Sequence, residues 1–99
     1  MNQRAPVPCE EMTAIRQQID ALDVELVKLL AARQKLIAQA GHAKPERHHI
    51  RDEARIEEVI NLVLQTAQKE GLATEIAEPV WRQLIESSIA YEYRIFDDR

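Results

Sequence analysis

Arg33 stands where a charge is costly. Read at alternating four- and three-residue steps, Met12, Ile15, Ile19, Leu22, Leu26, Leu29, Arg33, Leu36 and Ala40 form one stripe in which every other member is apolar. A guanidinium in such a stripe is expensive unless it is paired or binds an anion. A second stripe, Ala77, Trp81, Leu84, Ser88, Tyr91 and Ile95, is interrupted by the hydroxyl of Ser88, and the carboxylate of Glu92 follows one turn later. Arg16 flanks the first stripe, Lys44 sits in a polar stretch, and Asp52 and Arg55 stand just beyond it. Cations gathered around a small interior site suit a ligand with two carboxylates, because guanidinium binds carboxylate bidentately.

Each of these residues also has a plainer reading. Arg33 can pair with a carboxylate of a partner helix and set register. Arg16 can pair along the helix with Asp20. Asp52 is a natural helix N-cap, and Arg55 a partner for it. Ser88 in a seam lets helices approach closely, and Glu92 can be a solvated face residue. His42, His48 and His49, taken with Cys9, match no closed zinc spacing, so no metal site is expected. The chain contains no Gly-rich phosphate loop, nucleophile elbow or paired catalytic carboxylates.

The elements that carry these residues are helical. Ala, Leu, Ile, Glu, Gln and Arg dominate, with only 2 glycines and 4 prolines, a composition that favours helix and offers no run for a sheet. The first stripe predicts a helix with one buried face from about Glu10 to about Gly41, nearly 50 Å long at roughly 1.5 Å per residue. Residues 42–51 form a polar loop broken by Pro45. A second helix follows the Asp52 cap and runs to about Glu70, with Ile56, Val59, Ile60, Val63 and Ala67 inward, and Gly71 suits the left-handed position that ends it. Leu72 to Glu78 reads as a connector with a turn of helix begun at Thr74, and a third helix is firm from Pro79 to about Phe96. Residues 1–10 are read as a flexible segment, 11–96 as one helical domain and 97–99 as a tail. Two shorter helices cover only part of so long a stripe, so a two-fold homodimer is expected to bury the rest.

The 99 residues suffice for one domain. The net charge of −4, with both signs interspersed, argues against a nucleic-acid surface. No apolar run approaches the roughly 20 residues of a membrane span, and the polar N-terminus carries no signal-peptide core, so no membrane partner is expected. A single cysteine, Cys9, excludes an internal disulfide and fits a reducing, cytoplasmic compartment.

The ordered stretches IRQQIDALDVELVKLLAARQKL, GHAK, RDEAR and VWRQLIESSIAYE resemble those of the all-helical (AroQ-type) chorismate mutases, from about Met12 to Glu92. The resemblance implies an intertwined helical homodimer with two active sites, each built from both chains. It implies that Arg16 reaches into the partner's site to bind a substrate carboxylate. Arg33 would bind a substrate carboxylate, Lys44 the ether oxygen and a carboxylate, and Glu92 would be the second donor to that oxygen. Asp52 and Arg55 would help place the substrate, and Ser88 would lie near it.

Two residues depart from the family pattern. Where chorismate mutases carry Glu after the arginine of helix 2, to hold the ring hydroxyl, this chain has Ile56. An apolar residue there resembles the isochorismate-pyruvate lyase branch, which makes salicylate. Where several relatives carry Gln this chain has Glu92, and a carboxyl donates to the ether oxygen only when protonated. The implied reaction is the pericyclic rearrangement of chorismate to prephenate, with Lys44, Glu92 and Arg33 catalytic and neither cofactor nor metal required. Isochorismate-pyruvate lyase, a 4-amino-4-deoxychorismate mutase and a non-catalytic helical dimerisation module remain open as alternatives.

Overall fold

Capping and chain-breaking residues set several of the helix ends. The computed structural model describes residues 9–99, so positions 1–8 of the segment expected to be flexible lie outside the described residues. Along the described chain run α1 (Glu10–Ala43), a short 3-10 turn (Arg47–His49), α2 (Glu53–Glu70) and α3 (Thr74–Asp98). No strand occurs among the described residues, and the fold class is all-α as expected.

α1 continues past Gly41, and the Lys44 amide still donates to the Ala40 carbonyl at 2.9 Å. The helix then stops because Pro45, the next residue, lacks an N–H and disfavours helical geometry in its predecessor. The Asp52 carboxylate accepts from the Arg55 amide at 3.1 Å and caps α2, satisfying one of its orphan donors. Gly71, at φ 77°, closes α2 in the left-handed conformation. Its amide reaches the Gln68 carbonyl and that of Leu72 reaches Ala67, the paired bonds of a Schellman motif. α3 starts at Thr74, so Pro79 lies inside it instead of opening it. The first turn is closed by the Ile76 and Ala77 amides, both bonded to the Ala73 carbonyl at 3.0 Å.

The described residues group as two units, one ending at Arg33 and one spanning 34–99. The first is the greater part of α1. Its apolar stripe, Ile15, Ile19, Leu22, Leu26 and Leu29, is between 40% and 67% exposed.

The second unit contains the end of α1, the polar connection, α2 and α3. α2 and α3 pack through Ile56, Ile60 and Ile85, with Val59, Leu64, Trp81 and Ile89 laid against them. The seam expected on α3 is displaced. Ala77, Ile85 and Glu92 are its buried residues, whereas Trp81, Leu84, Ser88, Tyr91 and Ile95 are half-buried. A row that follows successive four-residue steps drifts around the helix relative to an alternating one, and α3 meets α2 along the former. Across the outer edge of this pair, Arg82 binds Glu57 at 3.1 and 3.2 Å and Glu78 at 2.9 Å. The hydrogen bond from Arg82 holds the Glu57 carboxyl below its usual range. That contact therefore favours the fold above the ordinary carboxylate range and fades as the pH falls through the lowered value. Its exposure keeps the effect small.

Two residues at the end of α1 and in the connection are buried. Ile50 is 4% exposed, an apolar anchor within the polar connection. Gly41 is buried in the last turns of α1, and a Cβ there would stand 3.0 Å from Ile95 Cγ2 and 3.2 Å from the Glu92 carbonyl oxygen. A side chain here would force Ile95 or the α3 backbone to give way by a few tenths of an ångström. Gly41→Ala should therefore destabilise the chain by about 1–3 kcal/mol through overpacking, despite the higher helix propensity of alanine. Urea denaturation measures it, and an unchanged or raised midpoint would contradict the close-approach role.

Candidate functional site

The end of α1 pressed on α3 brings together two residues distant in the sequence. Lys44 leaves the last turn of α1, and its Nζ lies 2.5 Å from Glu92 Oε2. The Glu92 side chain is 6% exposed and that of Lys44 30%. Glu92 Oε2 is fully enclosed, yet no directed hydrogen bond satisfies it. The close approach and the missing hydrogen bond agree if the ammonium meets the oxygen at an oblique angle, so the contact is an ion pair.

The polar connection that carries Lys44 is tied to α3 by arginines. Arg47 binds Asp97 through Nε at 2.9 Å and Nη2 at 3.3 Å, and its guanidinium lies 4.3 Å over the Tyr93 ring. Arg51 grips Glu86 with bonds of 2.6 and 2.8 Å. Arg99 donates to the carbonyls of His42, at 2.9 Å, and Lys44, at 2.7 Å. None of these arginines belongs to the set singled out from sequence. Their partners are distant in the chain, and no local pattern marks them.

The other expected site residues fall into distinct surroundings. Ser88 is half-buried on α3, one helical turn before Glu92. Asp52 acts as the α2 cap, and the Arg55 guanidinium turns to Glu58 at 3.1 Å, not to the Asp52 side chain. Ile56 is 9% exposed and belongs to the α2–α3 core. In the first unit, Arg33 is half-buried and Arg16 exposed. Burial lowers the pKa of the Arg33 guanidinium from its ordinary value, although an arginine so shifted remains charged at neutral pH.

Among the histidines, the 3-10 turn brings His48 and His49 together with Glu46, their ligand atoms within 4.8 Å of one another. All three are exposed, and neither His42 nor Cys9 belongs to the group.

Fold and geometry thus define an all-α protein with a lysine–carboxylate pair set into the helix packing of its second unit. The family model described as chorismate mutase type II matches residues 15–93, and the chain belongs to that family. It is also similar to the T-protein of Haemophilus influenzae, at 33% identity over 85 residues. That match covers 84% of this chain and 22% of the T-protein, so the chain spans under a quarter of that relative's length.

The ion pair has a consequence for stability. Removing one member of a buried pair strands the other's charge. Lys44→Ala is expected to cost about 1–3 kcal/mol, less than a fully enclosed pair because the lysine is partly solvated. Lys44→Ala combined with Glu92→Gln should recover most of that loss in urea denaturation. Equal losses in the single and double variants would show that the charge on Glu92 does not need Lys44.

Proposed function

We propose that the chain is a chorismate mutase, an isomerase that converts chorismate to prephenate. The observation that carries this reading is the meeting of Lys44 and Glu92, the two residues that the family resemblance assigns to the ether oxygen of the substrate. Family membership over residues 15–93 supports it.

The rearrangement is unimolecular and needs no nucleophile. Catalysis consists of holding a flexible dianion in its compact reactive conformer and of stabilising charge on the breaking ether oxygen. Lys44 supplies a donor at the end of α1. As arranged, Glu92 takes up the charge of Lys44, so it fixes the direction of the ammonium and becomes a second donor only in its protonated form. Arg33 and Arg16 bind substrate carboxylates in this reading, while Asp52, Arg55 and Ser88 help place the ring. Charge contacts made out of bulk water are stronger than the same contacts in it.

A second reading, isochorismate-pyruvate lyase, is favoured by one observation. Ile56 lies in the apolar core and offers no polar atom to a ring hydroxyl. Incubating the protein separately with chorismate and isochorismate decides between the two. Prephenate from chorismate is the expected product, whereas salicylate with pyruvate from isochorismate would establish the lyase. Conversion of neither, with no binding of a dicarboxylate transition-state mimic, would leave a non-catalytic helical module. Lys44→Ala should lower kcat by about 100-fold or more with a smaller change in KM, the pattern of an interaction made mainly in the transition state. An unchanged kcat would remove Lys44 from the chemistry.

The working form is proposed to be a homodimer with shared sites. Ile15, Ile19, Leu22, Leu26, Leu29 and Leu36 are each at least 40% exposed on the single chain. A contiguous apolar row of this length marks an interaction surface, and a second copy of α1 is complementary to it. Inactive Arg16→Ala and Lys44→Ala chains, mixed and co-refolded, should regain part of the activity through hybrid sites. No recovery in verified heterodimers would place Arg16 in its own chain's site or outside the site altogether.

A further inference from the structure

Helix α1 ends in carbonyls that its own backbone does not satisfy, a property of every helix C-terminus. Here a residue far along the chain satisfies two of the carbonyls at this end. Arg99 Nη1 donates to the His42 carbonyl at 2.9 Å and to the Lys44 carbonyl at 2.7 Å. The same guanidinium lies 3.7 Å over the ring of Phe96, so its plane is fixed from below by α3. The Lys44 amide is held on the opposite side by the Ala40 carbonyl at 2.9 Å. Lys44 is therefore gripped through both of its main-chain polar groups, and one of the two grips comes from Arg99.

This matters because a lysine is otherwise a poor positioning device. Its ammonium rides on a stem with four rotatable bonds. The residue is followed immediately by Pro45 and a polar connection. A main chain free to sway at this point would carry the ammonium away from Glu92. Arg47, bound to Asp97 and laid over Tyr93, holds the connection further along but touches no atom of Lys44 in these contacts.

We propose that Arg99 is a positioning residue for Lys44. It fixes the backbone from which the ammonium is aimed, and in the reading given above, on which this inference rests, it sets how well Lys44 meets the substrate's ether oxygen. Misplacement of a catalytic group by about 1 Å costs up to roughly 100-fold in rate.

The test compares Arg99→Ala, Arg99→Lys and, as a control, Arg94→Ala in the full chain. Arg94 lies 5.0 Å from the Tyr91 ring and touches no part of the Lys44 backbone in that contact. Arg99→Ala is expected to lower kcat for chorismate by about 10- to 100-fold with little change in KM or in the thermal midpoint. Arg99→Lys, which keeps a donor for the two carbonyls, should restore most of that loss, and Arg94→Ala should behave as wild type. Amide hydrogen exchange gives a readout independent of turnover. The Lys44 amide should exchange faster in Arg99→Ala while the α2 amides stay unchanged. Wild-type turnover and wild-type Lys44 exchange in Arg99→Ala would overturn the proposal, as would a kcat loss accounted for by global unfolding at the assay temperature. If the wild-type protein converts neither chorismate nor isochorismate, the proposed function fails and exchange alone decides. Faster exchange at Lys44 then upholds the positioning role, and unaltered exchange overturns it.

Discussion

A carboxylate that is 6% exposed inside a small helical unit must have a counter-charge. An ionised carboxyl taken from water without a partner is among the most costly features a fold can contain. Glu92 therefore determines what the rest of its unit has to do. Its partner cannot come from α3 itself, because the turn before it offers Ser88 and Ile89 and the turn after it Ile95 and Phe96. The counter-charge comes from the end of α1, and that end must lie almost against the α3 backbone for the ammonium of Lys44 to reach. Gly41 makes the approach sterically possible, since any side chain there would meet Ile95 and the Glu92 carbonyl.

The arginine contacts along the connection belong to the same requirement. Judged as stabilising interactions they are modest, because Arg47, Arg51 and their carboxylate partners are all substantially exposed and such pairs contribute on the order of 1 kcal/mol or less. Judged as geometry they are more consequential. Each fork is anchored on α3, and together with the apolar anchor Ile50 they convert a polar connection into a fixed strap between α1 and α2. A lysine carried by a strap of this kind gains the precision of a helix without lying within one. Placing it beyond the last turn of α1 also frees its side chain from the i,i+4 packing that would point it along the helix.

Local signals made much of this arrangement readable from the chain alone. The Asp52 cap, the left-handed Gly71 and the halt before Pro45 are all decided by a few neighbouring residues, and sequence conveys such preferences directly. The α2 face of Ile56, Ile60 and Ala67 was readable too, because one helix packing on one neighbour leaves a clear period. What escaped was set by contacts between residues far apart. Glu92, read with Ser88 as a polar group on an otherwise buried face, is indeed buried, but the row that buries with it is Ala77 and Ile85, and Ser88 is only half-buried. The lateral position of a packed stripe depends on where the neighbouring helix lies, and periodicity does not report that. Gly41, Ile50, Arg47 and Arg99 escaped for the same reason. Each is ordinary in its own stretch and acquires its role only when α3 returns to meet the end of α1.

The same distinction bears on Ile56, the residue that departs most from the family pattern. Its side chain packs with Ile60 and Ile85, and Trp81 lies against the same cluster. A glutamate at this position would have to leave the cluster or carry a charge into it, at a cost of several kcal/mol unless it found a partner. An apolar residue at 56 thus suits the α2–α3 packing of this chain. The departure removes a ring contact, and it is the one observation that favours the lyase reading. Both candidate reactions break the same kind of ether bond, and in the proposed reading the Lys44–Glu92 pair addresses that oxygen in either case. Discrimination between chorismate and isochorismate must then reside in contacts to the ring, among groups other than the two that meet at the end of α1.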